Sequence, residues 1–179
     1  KYLNTKKASA TIYIVVESVY SMDGDRALLK EFSEFCSKHS CSLIVDEAHA
    51  TGVFGTQGKG LVDELCLGSS IFARIVTFGK ALGCHGAVVL GSNELRNYLI
   101  NFSRPFIYTT AMPTHAALTI KFAIKELETT DQLRALRKNI NVFRNGIKVH
   151  NLDHKFIDSK SDIQSCIIGD VVKAKQIAA

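Results

Sequence analysis

The sequence predicts an α/β fold built on a mostly parallel sheet flanked by helices. Short β-branched apolar runs at residues 12–17, 42–46 and 71–78 are bounded by glycine or polar residues, the pattern of strands buried in a parallel sheet. An amphipathic stretch at 26–39 separates the first two runs, which makes a β-α-β unit. Polar groups then cluster where runs two and three end: Asp46 and His49 after one, Lys80 between Gly79 and Gly83 after the other. In open α/β sheets the ligand crevice lies beyond the carboxyl ends of the strands, so Asp46, His49 and Lys80 are expected to converge.

Taken in order, residues 12–17 read as a buried strand and 18–25 as the following loop. Met22-Asp23-Gly24-Asp25 has the look of a metal loop, but the further ligands and distal glutamate of an EF-hand are missing. It reads instead as a turn whose Asp25 caps the next helix. Along 26–39, Leu28, Leu29, Phe32, Phe35 and Cys36 fall on one helical face. Thr51 to Gly60 holds four glycines in ten positions. Lys59 is followed by Gly60, which breaks the phosphate-loop spacing, and a G-x-G-x-x-G is absent as well. A tight surface loop near the site is expected there, then a short helix from Leu61.

Residues 71–78 and 86–91 read as further strands. Ser92 caps a helix with Glu94 in its first turn and an apolar face of Leu95, Tyr98, Leu99 and Phe102. Residues 106–110 lead to a helix from Pro113, a favoured first-turn residue. Long helices are expected at 114–128 and 131–150. In the second, Leu133, Leu136, Ile140, Phe143 and Ile147 form a 3-4-3-4 stripe that reads as a core face. A loop at 155–162, a strand at 163–168 and a helix at 170–178 complete the chain.

Composition narrows the function. The chain has 179 residues, 46% of them apolar and 22% charged, with net charge +5. One domain is the default at this length. No apolar run reaches the ~18–20 residues of a membrane span, and no signal peptide is visible. The densest basic pair, Lys6-Lys7, is too little for nucleic acid. The mild positive balance suits an anionic substrate. Five cysteines without C-x-x-C spacing point to reduced cytoplasmic thiols, several of them buried, rather than a disulfide or metal framework. Cys84, near Lys80, reads as small apolar filling.

Each polar residue of the cluster has an ordinary reading. Alone, Asp46 is a helix cap or ion-pair partner, His49 a satisfied buried histidine, Thr77 a strand former and Lys80 a surface charge. Together they suit an electron-sink cofactor: a lysine can hold an aldehyde as a Schiff base while a carboxylate keeps a pyridine nitrogen protonated. Asp46-Glu47-Ala48-His49-Ala50-Thr51-Gly52, followed by Thr77-Phe78-Gly79-Lys80-Ala81-Leu82-Gly83, resembles the α-oxoamine synthases, fold-type I enzymes that use pyridoxal 5'-phosphate (PLP). Val19-Tyr20-Ser21-Met22-Asp23-Gly24-Asp25 and Tyr108-Thr109-Thr110-Ala111-Met112-Pro113 fit the same family in order and spacing.

That resemblance implies a PLP-transferase fold of the aspartate aminotransferase type, with the strand at 86–91 antiparallel to the others. Residues 1–128 would belong to the large PLP-binding domain, and 129–179 to a linking helix and the start of a small α+β C-terminal domain. The chain would be an internal portion of a longer enzyme. By resemblance Lys80 is the covalent anchor and general base, and Asp46 pairs with the pyridinium nitrogen. His49 and Ser21 lie at the ring oxygen. Thr77 contacts the phosphate, as does Thr110 from the second subunit of a homodimer with shared active sites. Glu47 and His85 receive no role. The implied reaction condenses an amino acid with an acyl-CoA or acyl-carrier-protein thioester, with decarboxylation. The glycine before Lys80 favours the biotin-pathway branch, using L-alanine and a pimeloyl thioester, over serine-using members, and leaves glycine-using members open. The ring-stacking residue and the arginine for the substrate carboxylate are expected outside this chain. The reading of another class is a non-catalytic α/β binding domain, or a fragment unable to hold cofactor.

Overall fold

The computed structural model describes residues 10–178, so the Lys6-Lys7 pair lies outside them. Strands β1 (Tyr13–Glu17), β2 (Ser42–Asp46) and β3 (Ala73–Thr77) are parallel, and β4 (Ala87–Gly91) runs antiparallel beside β3. Their spatial order is β1-β2-β3-β4, and the direction of β4 is the one the resemblance implied. Each strand is shorter than or equal to its apolar run, because the run continues into the turns that close the core. Burial is one-sided in β1: Val16 is inside while Tyr13 and Val15 face out, a half-buried strand where a buried one was expected.

The helices are α1 (Leu29–His39), α2 (Leu61–Glu64), α3 (Asn93–Phe102), α4 (Arg104–Ile107), α5 (Thr114–Thr129), α6 (Gln132–Val149) and α7 (Val171–Ala178). The main core gathers Val16, Leu43 and Val45 from the strands with Leu29 and Cys36 of α1, and Val53, Phe54, Leu61 and Val62 from the glycine-rich segment and α2; Leu136 and Ile163 pack against it. A smaller cluster of Val76, Phe78 and Ile120 seats α5 on the sheet.

Several expectations are corrected. Asp25 does not cap α1, which begins at Leu29 behind Leu28. Residues 25–28 stay outside the helix because Val19 and Arg26 form an antiparallel bridge and Ala27 N donates to Ser18 O at 3.1 Å. Leu28, just before α1, and Phe35 within it are exposed, and Ser33 of α1 is buried. The glycine-rich segment is largely interior rather than a surface loop: Thr51, Val53 and Phe54 are buried. It folds back on itself, with Gly52 N donating to Gly58 O at 2.7 Å and Gly60 N to Phe54 O at 2.8 Å. Pro113 stands at the cap position of α5, not within its first turn. Ser92 does cap α3, its Oγ accepting from Leu95 N at 3.2 Å. Of the cysteines only Cys36 is buried, and all five are free thiols.

No strand forms at 163–168; the segment contributes one isolated bridge, Cys166 with Phe156. Ile157 N donates to Ser165 O at 3.0 Å and Ile167 N to Lys155 O at 2.7 Å around that bridge, and side chains hold the start of the segment. Ile163 N donates to Ser161 Oγ at 3.1 Å, and Gln164 Nε2 donates to Ser161 O at 2.7 Å. Ser159 and Ser161, in the expected loop, are fully buried.

Candidate active site

The register of the sheet places the predicted site residues at one edge. Glu17 faces Asp46 across β1 and β2, and Asp46 faces Ile75 across β2 and β3, so the three lie in one row at ~4.8 Å spacing. Thr77 ends β3 two residues further on. Ser21, His49 and Lys80 follow the ends of β1, β2 and β3 in the loops on that same edge. The loops are laced to the neighbouring strand: Ser18 N donates to Asp46 O at 2.8 Å and Glu47 N to Ile75 O at 2.9 Å.

Local bonds then set the side chains. Ala48 N donates to Asp46 Oδ1 at 2.8 Å, a turn that holds the carboxylate at the strand end. Ala50 N and Thr51 N both donate to Glu47 O at 3.0 Å, which fixes the turn bearing His49. Gly52 (φ +81°) brings this turn against the lysine-bearing one: a Cβ there would collide with the Ala81 Cβ. Glycine is therefore required both by the left-handed backbone and by the close approach. His49 and Lys80 consequently line one cavity of about 820 Å³, together with Thr51, Leu82 and residues of α5 and α6.

Beneath the cavity Glu47 acts as a strut. Its side chain is wholly buried; Oε1 accepts from Val62 N at 2.9 Å and Oε2 pairs with Arg74 Nε. Gly60 (φ +96°) lies so close that a Cβ would stand 2.6 Å from Oε2. Burial pushes the Glu47 carboxyl above the ordinary carboxylate range, against the lowering effects of the Val62 N–H and the Arg74 charge. The carboxylate expected to have no catalytic role is thus a structural one.

Ser21, Asp46, Thr77 and Thr110 do not line the cavity. Ser21 sits in an exposed turn. Thr77 Oγ1 accepts from Gly79 N and donates to Gly86 O, both at 3.4 Å. Thr110 is exposed, two residues before Met112, whose side chain overlies Gly86 at the start of β4. Sequence reasoning missed Glu126, Asn139 and Asp162, which complete the cavity wall. No local motif marks them, since they arrive from α5, α6 and the C-terminal segment. The wall also holds Thr51, whose buried Oγ1 has no hydrogen-bond partner among the described residues.

A family model described as aminotransferase class I and II matches residues 1–179. An 8-amino-7-oxononanoate synthase of Emericella nidulans is 46% identical over 151 residues, covering 80% of this chain and 36% of that protein. Among solved structures, a serine palmitoyltransferase of S. paucimobilis with PLP-myriocin bound superposes at a TM-score of 0.88 with 28% identity, over 97% of this chain and 45% of that one. The 8-amino-7-oxononanoate synthase of Francisella tularensis gives 0.80 at 28% identity, over 98% and 51%. The chain thus spans about half or less of the length of these relatives.

Proposed function

The chain belongs to the class I and II aminotransferase family, and from that premise we propose that it forms the catalytic centre of a PLP-dependent α-oxoamine synthase, specifically an 8-amino-7-oxononanoate synthase. The observation that carries this reading is the meeting of His49 and Lys80 in one cavity wall at the carboxyl edge of a parallel sheet, with Asp46 held at the adjoining strand end.

The residues fit the cofactor. The cavity of about 820 Å³ has room for a ring and for a second ligand beside it; its wall holds an amine and an imidazole, and an oriented carboxylate stands at the adjoining strand end outside that wall. Bound there, PLP would supply an electron sink for the carbanion left when a bond to the amino acid α-carbon breaks. Lys80 Nζ would hold the aldehyde carbon and, once freed, move the α-proton. Asp46 would keep the ring nitrogen protonated. His49 and Ser21 would orient the ring oxygen, and Thr77 would hold the phosphate. Thr110 would do so for the second subunit of a homodimer. In the net reaction the α-carbon loses its carboxylate as carbon dioxide and bonds to the thioester carbonyl carbon, and the thiol leaves. L-Alanine and a pimeloyl thioester of CoA or acyl carrier protein are the proposed substrates, and the cytoplasm the proposed location. Residues 1–128 are proposed as part of the large domain and 129–179 as the link to a small one.

A serine-using enzyme is the second reading, favoured by the structural likeness to serine palmitoyltransferase. The higher sequence identity of the oxononanoate synthase favours the first. The test is the visible spectrum of the full-length protein with PLP, before and after borohydride, followed by peptide mapping. A band that collapses to leave a pyridoxyl group on Lys80 supports the reading; a folded protein with no band overturns it in favour of a binding domain. Screening alanine, glycine and serine with acyl thioesters then separates the branches.

A further inference from the structure

The turn that carries Ser21 is fastened from behind by a chain of buried hydroxyls. Ser159 Oγ donates to Gly24 O at 2.8 Å. The Ser159 and Ser161 hydroxyls stand 2.8 Å apart, and Ser161 Oγ has a second acceptor in Ile163 O at 3.4 Å. Ser159 Oγ also accepts from Ser161 N at 3.0 Å, and Ser161 Oγ accepts from Ile163 N at 3.1 Å. The network therefore links the Ile163 amide, Ser161, Ser159 and the Gly24 carbonyl. A second fastening comes from Ser165 Oγ, which donates to Met22 O. Gly24 (φ +70°) is the cradle: a Cβ would stand 2.5 Å from Ser159 Oγ and 2.6 Å from Ser161 Oγ and Ile163 O.

The same segment has a second face. Asp162 and Ile163 line the cavity with His49 and Lys80, and Ile163 packs on the main core. One short stretch thus touches the cavity on one side and the Ser21 turn on the other. We propose that Ser159 and Ser161 are positioning residues for Ser21, so that the C-terminal segment, by holding the turn that carries it, sets the contact Ser21 makes with the cofactor ring oxygen. This rests on the proposed role of Ser21.

The experiment compares Ser159→Ala, Ser21→Ala and the double variant in the full-length, PLP-loaded protein. The readouts are the pH titration of the visible absorbance band, which follows the proton that the Schiff-base nitrogen shares with the ring oxygen, and kcat against KM. Ser159→Ala is expected to move the titration midpoint in the same direction as Ser21→Ala. It should lower kcat about five-fold with KM for the amino acid little changed, the effect of one lost hydrogen bond. In the Ser21→Ala background it should add nothing. A Ser159→Ala protein that is less heat-stable yet titrates and turns over as the parent does would make the pair merely structural and overturn the proposal. A silent Ser21→Ala would remove the Ser21 contact itself, and the proposal with it. Should Ser159→Ala not fold, Ser165→Ala removes the Met22 fastening from a half-buried position and is read by the same two criteria.

Discussion

At the scale of single residues, the glycines give the sharpest outcomes. Gly52→Ala must bear both a left-handed backbone and a collision with the Ala81 Cβ. It is expected to cost about 2–4 kcal/mol, measured by urea unfolding. Adding Ala81→Gly should recover the packing part and leave the backbone part. Gly79, beside the lysine, is different: its Cβ would meet only Cys84 O at 3.6 Å and Thr77 Oγ1 at 3.9 Å. Gly79→Ser should therefore stay within about 0.5 kcal/mol of the parent in the same assay. A large loss would show that glycine is held there by the fold rather than by what binds. Lys80→Ala should abolish the borohydride-trapped pyridoxyl peptide while leaving the melting temperature of the cofactor-free protein within a few degrees, because Lys80 is exposed.

Elements show what the sequence made legible. The strand ends were readable because Asp46 closes one β-branched run and Lys80 follows the end of another, and a parallel register needs no further information to bring such ends to one edge. The Ser92 cap was readable for the same local reason. Asp25 misled, because a capping residue before an amphipathic stretch says nothing about Val19, whose bridge to Arg26 keeps the intervening residues out of the helix. The burial of Ser159 and Ser161 was illegible: a stretch rich in Ser, Asp and Lys reads as a loop, and the Gly24 partner of Ser159 lies over a hundred residues away. Glu47 received no role, and its partner, Arg74, is distant in sequence. Since burial raises its carboxyl above the unfolded value, the folded state binds the proton more tightly. Its contribution to stability is full below the ordinary carboxylate range and lost as pH rises through the raised value. Denaturation of the parent and of Glu47→Gln at about pH 5 and about pH 8 should show the difference shifting against the parent at the higher pH; no shift would mean that Arg74 holds the carboxylate ionised throughout.

At the scale of the molecule, α3 to α5 carry an apolar surface: Tyr98 and Phe102 stack at 4.9 Å and are 60% and 65% exposed, and Phe122 is 65% exposed. Patches of this kind mark contacts with other polypeptide. The 179-residue chain on its own is expected to bind a hydrophobic dye and self-associate, and a homodimer of the full-length protein should bind less dye per chain; equal binding would leave this face outside any interface. The reversed direction of β4 has a consequence of another kind. The segment carrying Lys80 returns directly to the sheet, pinned by Phe78 N to Gly86 O at 2.9 Å, Cys84 N to Phe78 O at 2.8 Å and Gly83 N to Lys80 O at 2.9 Å. A span anchored at both ends is expected to hold its backbone still while the exposed amine reorients by rotamer changes. The Phe78 and Cys84 amides should then resist hydrogen–deuterium exchange nearly as long as the strands do, and any millisecond motion that paces turnover must arise elsewhere in the fold.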